Sequence, residues 1–181
     1  TAQLGKNLDI KVDEIDKLVE FSKENDIDYT VVGPELPLCQ GIVDEFEKNN
    51  LKIFGVNKAA SKFESSKAFT KEFLNKYGIK TAAYLRTENK DEANIYANKL
   101  IDEKGIVVLK RDGLAAGKGV YIIEDKNELE ETIADIFSKD KEIVIEEYID
   151  GFEMSLLCLT DSKNIIPLPT SKDLSLIHIS D

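Results

Sequence analysis

An α/β fold is predicted by three features of the sequence. Short apolar, β-branched runs alternate with stretches whose apolar residues recur at helical spacing. A Gly33–Pro34 pair cuts one such run short, as a strand-to-helix turn requires. Two strand-like runs, Ile106 to Leu109 and Val120 to Ile123, flank a loop that holds Gly113, Gly117 and Gly119.

In chain order, Val12 to Asn25 places Val12, Ile15, Leu18, Val19 and Ser22 on one face of a helix. "IDYTVVGPE" supplies a strand that stops at Gly33–Pro34, and Leu38, Ile42, Val43 and Phe46 mark a second amphipathic helix. "LKIFG" reads as another buried strand. This alternation implies a parallel sheet with right-handed crossovers. Ligands of such sheets lie beyond the carboxyl ends of the strands, which makes Gly33, Pro34 and Glu35 a candidate site edge. A plain turn, with the Glu35 carboxylate favoured by the helix dipole, explains the same residues.

From Val56 the pattern changes. "NKAASKFESSKAFTKEFLNKYG" carries Phe69, Phe73 and Tyr77 on one helical face and stops at Gly78. There follow a strand in "TAAYLRT", a helix with Ala93, Tyr96, Ala97, Leu100 and Ile101 inward, and the strands "GIVVLKR" and "GVYII". A helix with Leu129, Ile133, Ile136 and Phe137 inward and the strand "EIVIEEYI" complete this part. The close strand pair around the glycine loop favours an antiparallel α+β unit, with a domain boundary near residues 55 to 60. "MSLLCLTDSKNIIPLP" reads as a further hairpin turning at Asp161 to Asn164.

Chemistry concentrates in two stretches. In "VVLKRDGLAAGKGVYII" the glycines let the backbone approach a ligand, and successive free N–H groups suit an anion. Lys110 ends the first strand and Lys118 lies in the loop, so two mobile point charges point to a phosphate chain. A flexible hairpin with an ordinary solvated lysine is the competing account. The P-loop pattern does not fit, since no Ser or Thr follows Lys118 and a strand follows the loop, and the dinucleotide fingerprint fails likewise. In "VIEEYIDGFEMSL", adjacent Glu146 and Glu147 need something to accept their charge if the strand is interior. Backbone groups of such a linker can read a flat heterocycle, and Glu153 can accept from sugar hydroxyls. The alternative is an exposed edge strand.

Acidic residues outnumber basic ones by 35 to 24 in 181 residues, a formal charge of −11 without a basic run, which argues against nucleic acid and anionic membranes as partners. Cys39 and Cys158 lack metal-ligand spacing and are read as small core residues in a reduced, cytoplasmic setting. No apolar run is long enough to span a bilayer, and the start lacks the pattern of a signal peptide.

Taken together, "SSKAFTKEFLNKYGI", "VVLKRDGLAAGKGV" and "VIEEYIDGFEMSL", in this order and spacing, resemble the ATP-grasp superfamily. Within it, "VVGPELPLCQGIVDEF", "DGLAAGKGV" and "PLPTSKD" are similar to the phosphoribosylamine-glycine ligases of purine biosynthesis, over about residues 1 to 173. The resemblance implies a partial Rossmann-like pre-ATP-grasp domain in residues 1–56, followed by an α+β ATP-grasp domain in residues 57–173 whose second subdomain is incomplete. It implies ATP-binding roles for Lys67, Lys110, Gly113, Gly117, Lys118 and Gly119. Lys110 would meet the α-side phosphates and Lys118 would act catalytically over the β- and γ-phosphates. Glu146, Glu147, Tyr148 and Ile149 would form the adenine hinge and Glu153 the ribose ligand. Gly33, Pro34, Glu35 and Asp173 would lie on the substrate side.

The implied reaction joins glycine to 5-phosphoribosylamine with ATP, giving glycinamide ribonucleotide, ADP and phosphate through glycyl phosphate. Mg2+, with Mn2+ as an option, would assist from ligands outside this chain, and the parent enzyme would be a cytoplasmic monomer. Two departures stand against this. The family's first strand and glycine-rich loop are absent, and after Asp173 the chain reads "LSLIHISD", a tail taken as non-native over residues 174–181. His178 therefore receives no role. A truncated, inactive nucleotide-binding fragment and another ATP-grasp carboxylate-amine ligase are the alternatives.

Overall fold

The computed structural model describes residues 4–114 and 119–172. The chain divides into two compact units, Thr1–Tyr148 and Ile149–Asp181.

The first unit begins with α1 (Ile15–Glu24), β1 (Thr30–Val31), α2 (Glu35–Gln40), α3 (Ile42–Lys48) and β2 (Ile53–Phe54). The strands pair in parallel, Thr30 opposite Ile53 and Val31 opposite Phe54, as the alternation implies. Val19, Ile42, Val43 and Phe46 form the core beneath them, with Ile15, Leu18, Leu38 and Ile53 packed around. The expectation of buried strands is corrected: the sheet has two strands and helices cover one side, so the outward pair Val31 and Phe54 is 68% and 41% exposed. The expected second helix is two, because Gly41 takes a left-handed conformation, φ +97°, between α2 and α3. Gly55 ends β2 under tight packing, where an added Cβ would come within 2.8 Å of Leu38 Cδ2 and 3.1 Å of Val43 Cγ2.

Next come α4 (Lys62–Ser65) and α5 (Lys67–Lys76), which stops before Gly78 at φ +66°. Phe63, Phe69, Phe73 and Tyr77 stack on one another towards the surface, while Ala68 and Lys71 are the buried positions. The aromatic rings satisfy each other edge to face and along the helix, leaving the smaller side to meet the sheet.

That sheet comprises β3 (Tyr84–Thr87), β4 (Val107–Arg111), β5 (Val120–Ile123) and β6 (Ile143–Glu147), in the order β3-β6-β4-β5. Every pairing is antiparallel. Helices α6 (Lys90–Lys104) and α7 (Lys126–Lys139) pack on one face. Asn89 and Asp125 start them, each carboxamide or carboxylate oxygen accepting two backbone N–H groups of the first turn. Ala93, Ala97, Leu100, Leu129, Ile133 and Ile136 meet Val107, Leu109, Ile123, Ile143 and Ile145 in one buried core.

The second unit holds β7 (Met154–Ser155), β8 (Cys158–Thr160), β9 (Ile165–Pro167) and β10 (Ser171–Lys172). β8 and β9 form the expected hairpin, and β7 pairs with β10. Asp161 builds the turn by accepting the N–H groups of Lys163 and Asn164 at 2.9 and 2.6 Å. Cys158, expected in a core, is exposed, and Cys39 is half-buried, since neither sits on the inner face of a covered strand.

Candidate nucleotide-phosphate site

Alternation along β6 decides the site. Glu146 and Glu147 are neighbours and so project from opposite faces of the sheet. Glu147, opposite Val107, lies on the α6 side, where it accepts the Ala83 N–H at 2.9 Å and pairs with Lys104. These partners, the N–H of Ala83 before Lys104, hold its carboxyl below the usual range. Glu146 projects to the other face, towards α5, and is 5% exposed. The edge-strand account of the two glutamates is therefore excluded: β6 runs between β3 and β4, and each carboxylate has its own cation.

On the Glu146 side, β4 contributes Lys110, whose Nζ stands 3.0 Å from Glu146 Oε1. The register puts Val108 opposite Glu146, so Lys110 is a diagonal neighbour on the same face, within reach of a long side chain. Helix α5 contributes Lys71, 7% exposed, with Nζ 3.0 Å from Glu146 Oε2 and donating to Thr81 Oγ1 at 2.6 Å. Lys110 is thus an ion-paired, half-buried lysine, unlike the solvated one of the hairpin account.

One turn before Lys71, Lys67 donates to the Gly113 carbonyl at 3.1 Å. Gly113 has φ +92°, a conformation that glycine adopts without the Cβ penalty. Asp112 closes the connection, accepting from the Ala68 N–H and the Ser66 hydroxyl at 3.1 and 3.0 Å. The far base of the loop is held by the Arg111 N–H donating to the Gly119 carbonyl at 2.8 Å. Two groups result, Lys67 with Gly113 and Asp112, and Lys71 and Lys110 about Glu146, joined by α5 and β4 and together setting three cations against two carboxylates.

Gly117 and Lys118, like Asp173, fall outside the described residues. Tyr148 is half-buried at the end of the first unit; Ile149 and Glu153 belong to the second unit and are exposed. Gly33 and Pro34 line an apolar groove of about 170 Å3 with Ile10, Val12, Leu18 and Pro37, on the other core of the first unit. Glu35 is exposed at the start of α2. A cleft of about 800 Å3 is walled by Asn75, Ile79, Thr81, Tyr84 and Tyr96 and does not include the lysines facing Glu146.

Lys71 is the site residue that periodicity did not reveal. The available signal was its spacing three residues after Ala68, which puts both on the face opposite the aromatic stripe.

Among the described residues no group of three His, Cys, Asp or Glu side chains could hold a metal ion, and no helix is long and apolar enough to cross a membrane.

A small antiparallel sheet backed by two helices, with lysines from a neighbouring helix and a glycine-loop strand on its other face, is the ATP-grasp arrangement. A D-alanine–D-alanine ligase of Bacillus anthracis, solved in complex with ATP, superposes with a TM-score of 0.62 at 25% identity, over 86% of this chain and 51% of that one. The phosphoribosylamine–glycine ligase of Thermotoga maritima superposes with a TM-score of 0.69 at 27% identity, over 93% of this chain and 40% of that one.

Family profiles are more specific. Residues 1–64 match the phosphoribosylglycinamide synthetase N domain and residues 65–181 its ATP-grasp (A) domain, so the chain belongs to the phosphoribosylglycinamide synthetase family. A phosphoribosylamine–glycine ligase of Clostridium acetobutylicum is 47% identical over 179 residues, 96% of this chain and 42% of that protein. The chain thus spans less than half the length of that relative. The resemblance read from the motifs and the α/β class both hold.

Proposed function

We propose that this chain carries the phosphate-gripping side of an ATP-dependent ligase that joins glycine to 5-phosphoribosylamine. The observation that carries the reading is that two lysines flank the root of the glycine loop: Lys67 donates to the Gly113 carbonyl, and Lys110, paired with Glu146, ends the strand that leads into the loop. Cations on a strand and a helix N-terminal turn, beside a glycine with positive φ, suit a polyphosphate better than a single carboxylate.

In the proposed reaction a glycine carboxylate oxygen attacks the γ-phosphorus and ADP departs, giving glycyl phosphate. The amine of 5-phosphoribosylamine then attacks the acyl carbon and phosphate leaves, yielding glycinamide ribonucleotide. The chain's residues act by position and charge. Lys110 neutralises the α-side phosphates, Lys67 orients the loop through Gly113, and Lys118 is assigned to the β- and γ-phosphates. Glu146 to Ile149 are assigned to adenine, Glu153 to ribose, and Gly33, Pro34, Glu35 and Asp173 to the phosphoribosylamine side. A divalent cation, Mg2+ before Mn2+, would supply charge neutralisation at the phosphates. The described residues provide no ligand set for it. The setting proposed is a monomeric cytoplasmic enzyme with small-molecule substrates.

A second reading, a nucleotide-binding piece without turnover of its own, is supported by the chain's coverage of 42% of its Clostridium relative. The deciding experiment has two arms. MgATP and adenosine are titrated into the chain, where a preference for ATP of about tenfold or more is expected and equal affinity overturns the site. Glycine-dependent ADP release is then measured with 5-phosphoribosylamine present, in this chain and in a version extended to the relatives' length. Turnover in the extended version that Lys118→Ala largely abolishes supports the ligase; none in either leaves the binding piece.

A further inference from the structure

A buried carboxylate with two lysines is an uneven arrangement, and the unevenness is informative. Lys71 is fully committed. Its Nζ meets Glu146 Oε2 at 3.0 Å, Thr81 Oγ1 at 2.6 Å and the Ala82 carbonyl at 3.5 Å, and lies 5.5 Å from the centre of the Tyr84 ring. Lys110 is not. Its side chain keeps 26% of its surface accessible, and its one ionic partner among the described residues is Glu146 Oε1 at 3.0 Å. The buried Oε1 has no hydrogen-bond donor among the described residues.

We propose that Lys71 is a positioning residue for phosphate recognition: it keeps the Glu146 carboxylate compensated and in place when the Lys110 ammonium turns from Glu146 to a phosphate oxygen. The inference rests on the nucleotide reading above and adds to it the residue that makes Lys110 available. If Lys110 were the sole counter-charge, its departure would strand a carboxylate at 5% exposure, a costly state, and Lys110 would stay on Glu146. With Lys71 held beside it by Thr81 Oγ1 and the Ala82 carbonyl, Glu146 keeps a buried cation 3.0 Å from Oε2 when Lys110 leaves. The sheet supplies the geometry: Tyr84 and Val108 flank Glu146 in register, which directs its carboxylate between α5 and the end of β4.

The test compares MgATP with adenosine, each titrated into the folded chain and followed by NMR. Adenosine lacks the phosphates that Lys110 would meet, so the ratio of the two affinities isolates the phosphate contribution from damage to the fold. Lys71→Met leaves Glu146 with Lys110 alone, and the ATP preference is expected to fall about tenfold while adenosine affinity stays within about threefold. The double variant Lys71→Met with Glu146→Gln removes the competing carboxylate, and the preference is expected to return to within about threefold of the parent. An unchanged preference in Lys71→Met overturns the proposal alone, and so does a folded double variant in which the preference is still lost. If Lys71→Met does not fold, the double variant decides by the same criterion. A parent chain that does not distinguish ATP from adenosine overturns the nucleotide reading itself.

Discussion

Asp112 Oδ1 accepts the backbone N–H of Ala68 at 3.1 Å, so a residue at the root of the glycine loop caps a helix 44 positions earlier in the chain. The other oxygen takes the Ser66 hydroxyl, whose own oxygen accepts from the Phe69 N–H at 3.0 Å. Two of the otherwise unpaired N–H groups of the first turn of α5 are thereby satisfied, with a negative charge at the positive end of the helix. Asp112→Ala should cost about 1–2 kcal/mol and raise amide exchange at Ala68 and Phe69. Denaturant unfolding combined with exchange is the check. A loss below about 0.3 kcal/mol would mean that the loop root and α5 are not coupled in this way.

Gly55 offers a test of the packing under β2. An added Cβ would meet Val43 Cγ2 at 3.1 Å, on a helix whose Val43 is 3% exposed, and Leu38 Cδ2 at 2.8 Å. The leucine can turn away, but the β-branched valine has little rotamer freedom on a helix. Gly55→Ala is expected to destabilise by about 1–3 kcal/mol. Equal thermal stability would show that α3 shifts without cost.

Much of the fold was legible because local patterns and burial agree. Val107, Leu109, Ile143 and Ile145 alternate inward, and Leu129, Ile133 and Ile136 repeat at helical spacing against them. Legibility failed where local pattern competes with tertiary placement. The strongest stripe on α5, Phe69, Phe73 and Tyr77, packs on itself and on Phe63 and stays half-buried to exposed, while Ala68 and Lys71 take the buried side. The short strands β1 and β2 read as buried because they are apolar, yet Val31 and Phe54 are left exposed by the described residues.

The site was legible in part for the same reason. Lys110, Glu146 and the glycine loop carry their own local signals: a strand-end cation, an acidic pair and a turn. That the pair is interior, and that its two members have separate counter-ions on opposite faces, follows from β6 lying between β3 and β4, a non-local pairing. Lys71 could be placed only after α5 was seen to dock by its Ala68 side.

Lys110 and Lys67 should differ in what they contribute. Lys110→Ala removes an accessible ammonium and is expected to weaken MgATP binding about tenfold, with adenosine binding unchanged, since a charge-assisted contact is typically worth about 1.5–3 kcal/mol. Lys67→Ala also severs the link to the Gly113 carbonyl, so it should weaken MgATP binding and raise amide exchange at Leu114 as well. Calorimetry and exchange on both variants separate the roles. Identical exchange in the two would remove Lys67 from loop positioning.

The hairpin of the second unit should have an acid limit set by Asp161. Its carboxylate accepts the backbone N–H of Asn164, the side-chain amide of Asn164 and the backbone N–H of Lys163, which together lower its pKa from an ordinary 3.8 to about 2. A carboxyl group whose pKa is lower in the folded state stabilises that state fully above its unfolded value and loses the contribution as pH falls through the folded one. The turn should therefore persist intact above about pH 4 and loosen between about pH 4 and 2. Carboxyl carbon shifts of Asp161 followed against pH should give a midpoint near 2, and amide exchange at Asn164 should rise over the same interval. Asp161→Ala should show fast exchange at Asn164 at every pH, and a midpoint near 4 in the parent chain would mean that the three donors do not hold the carboxylate in solution.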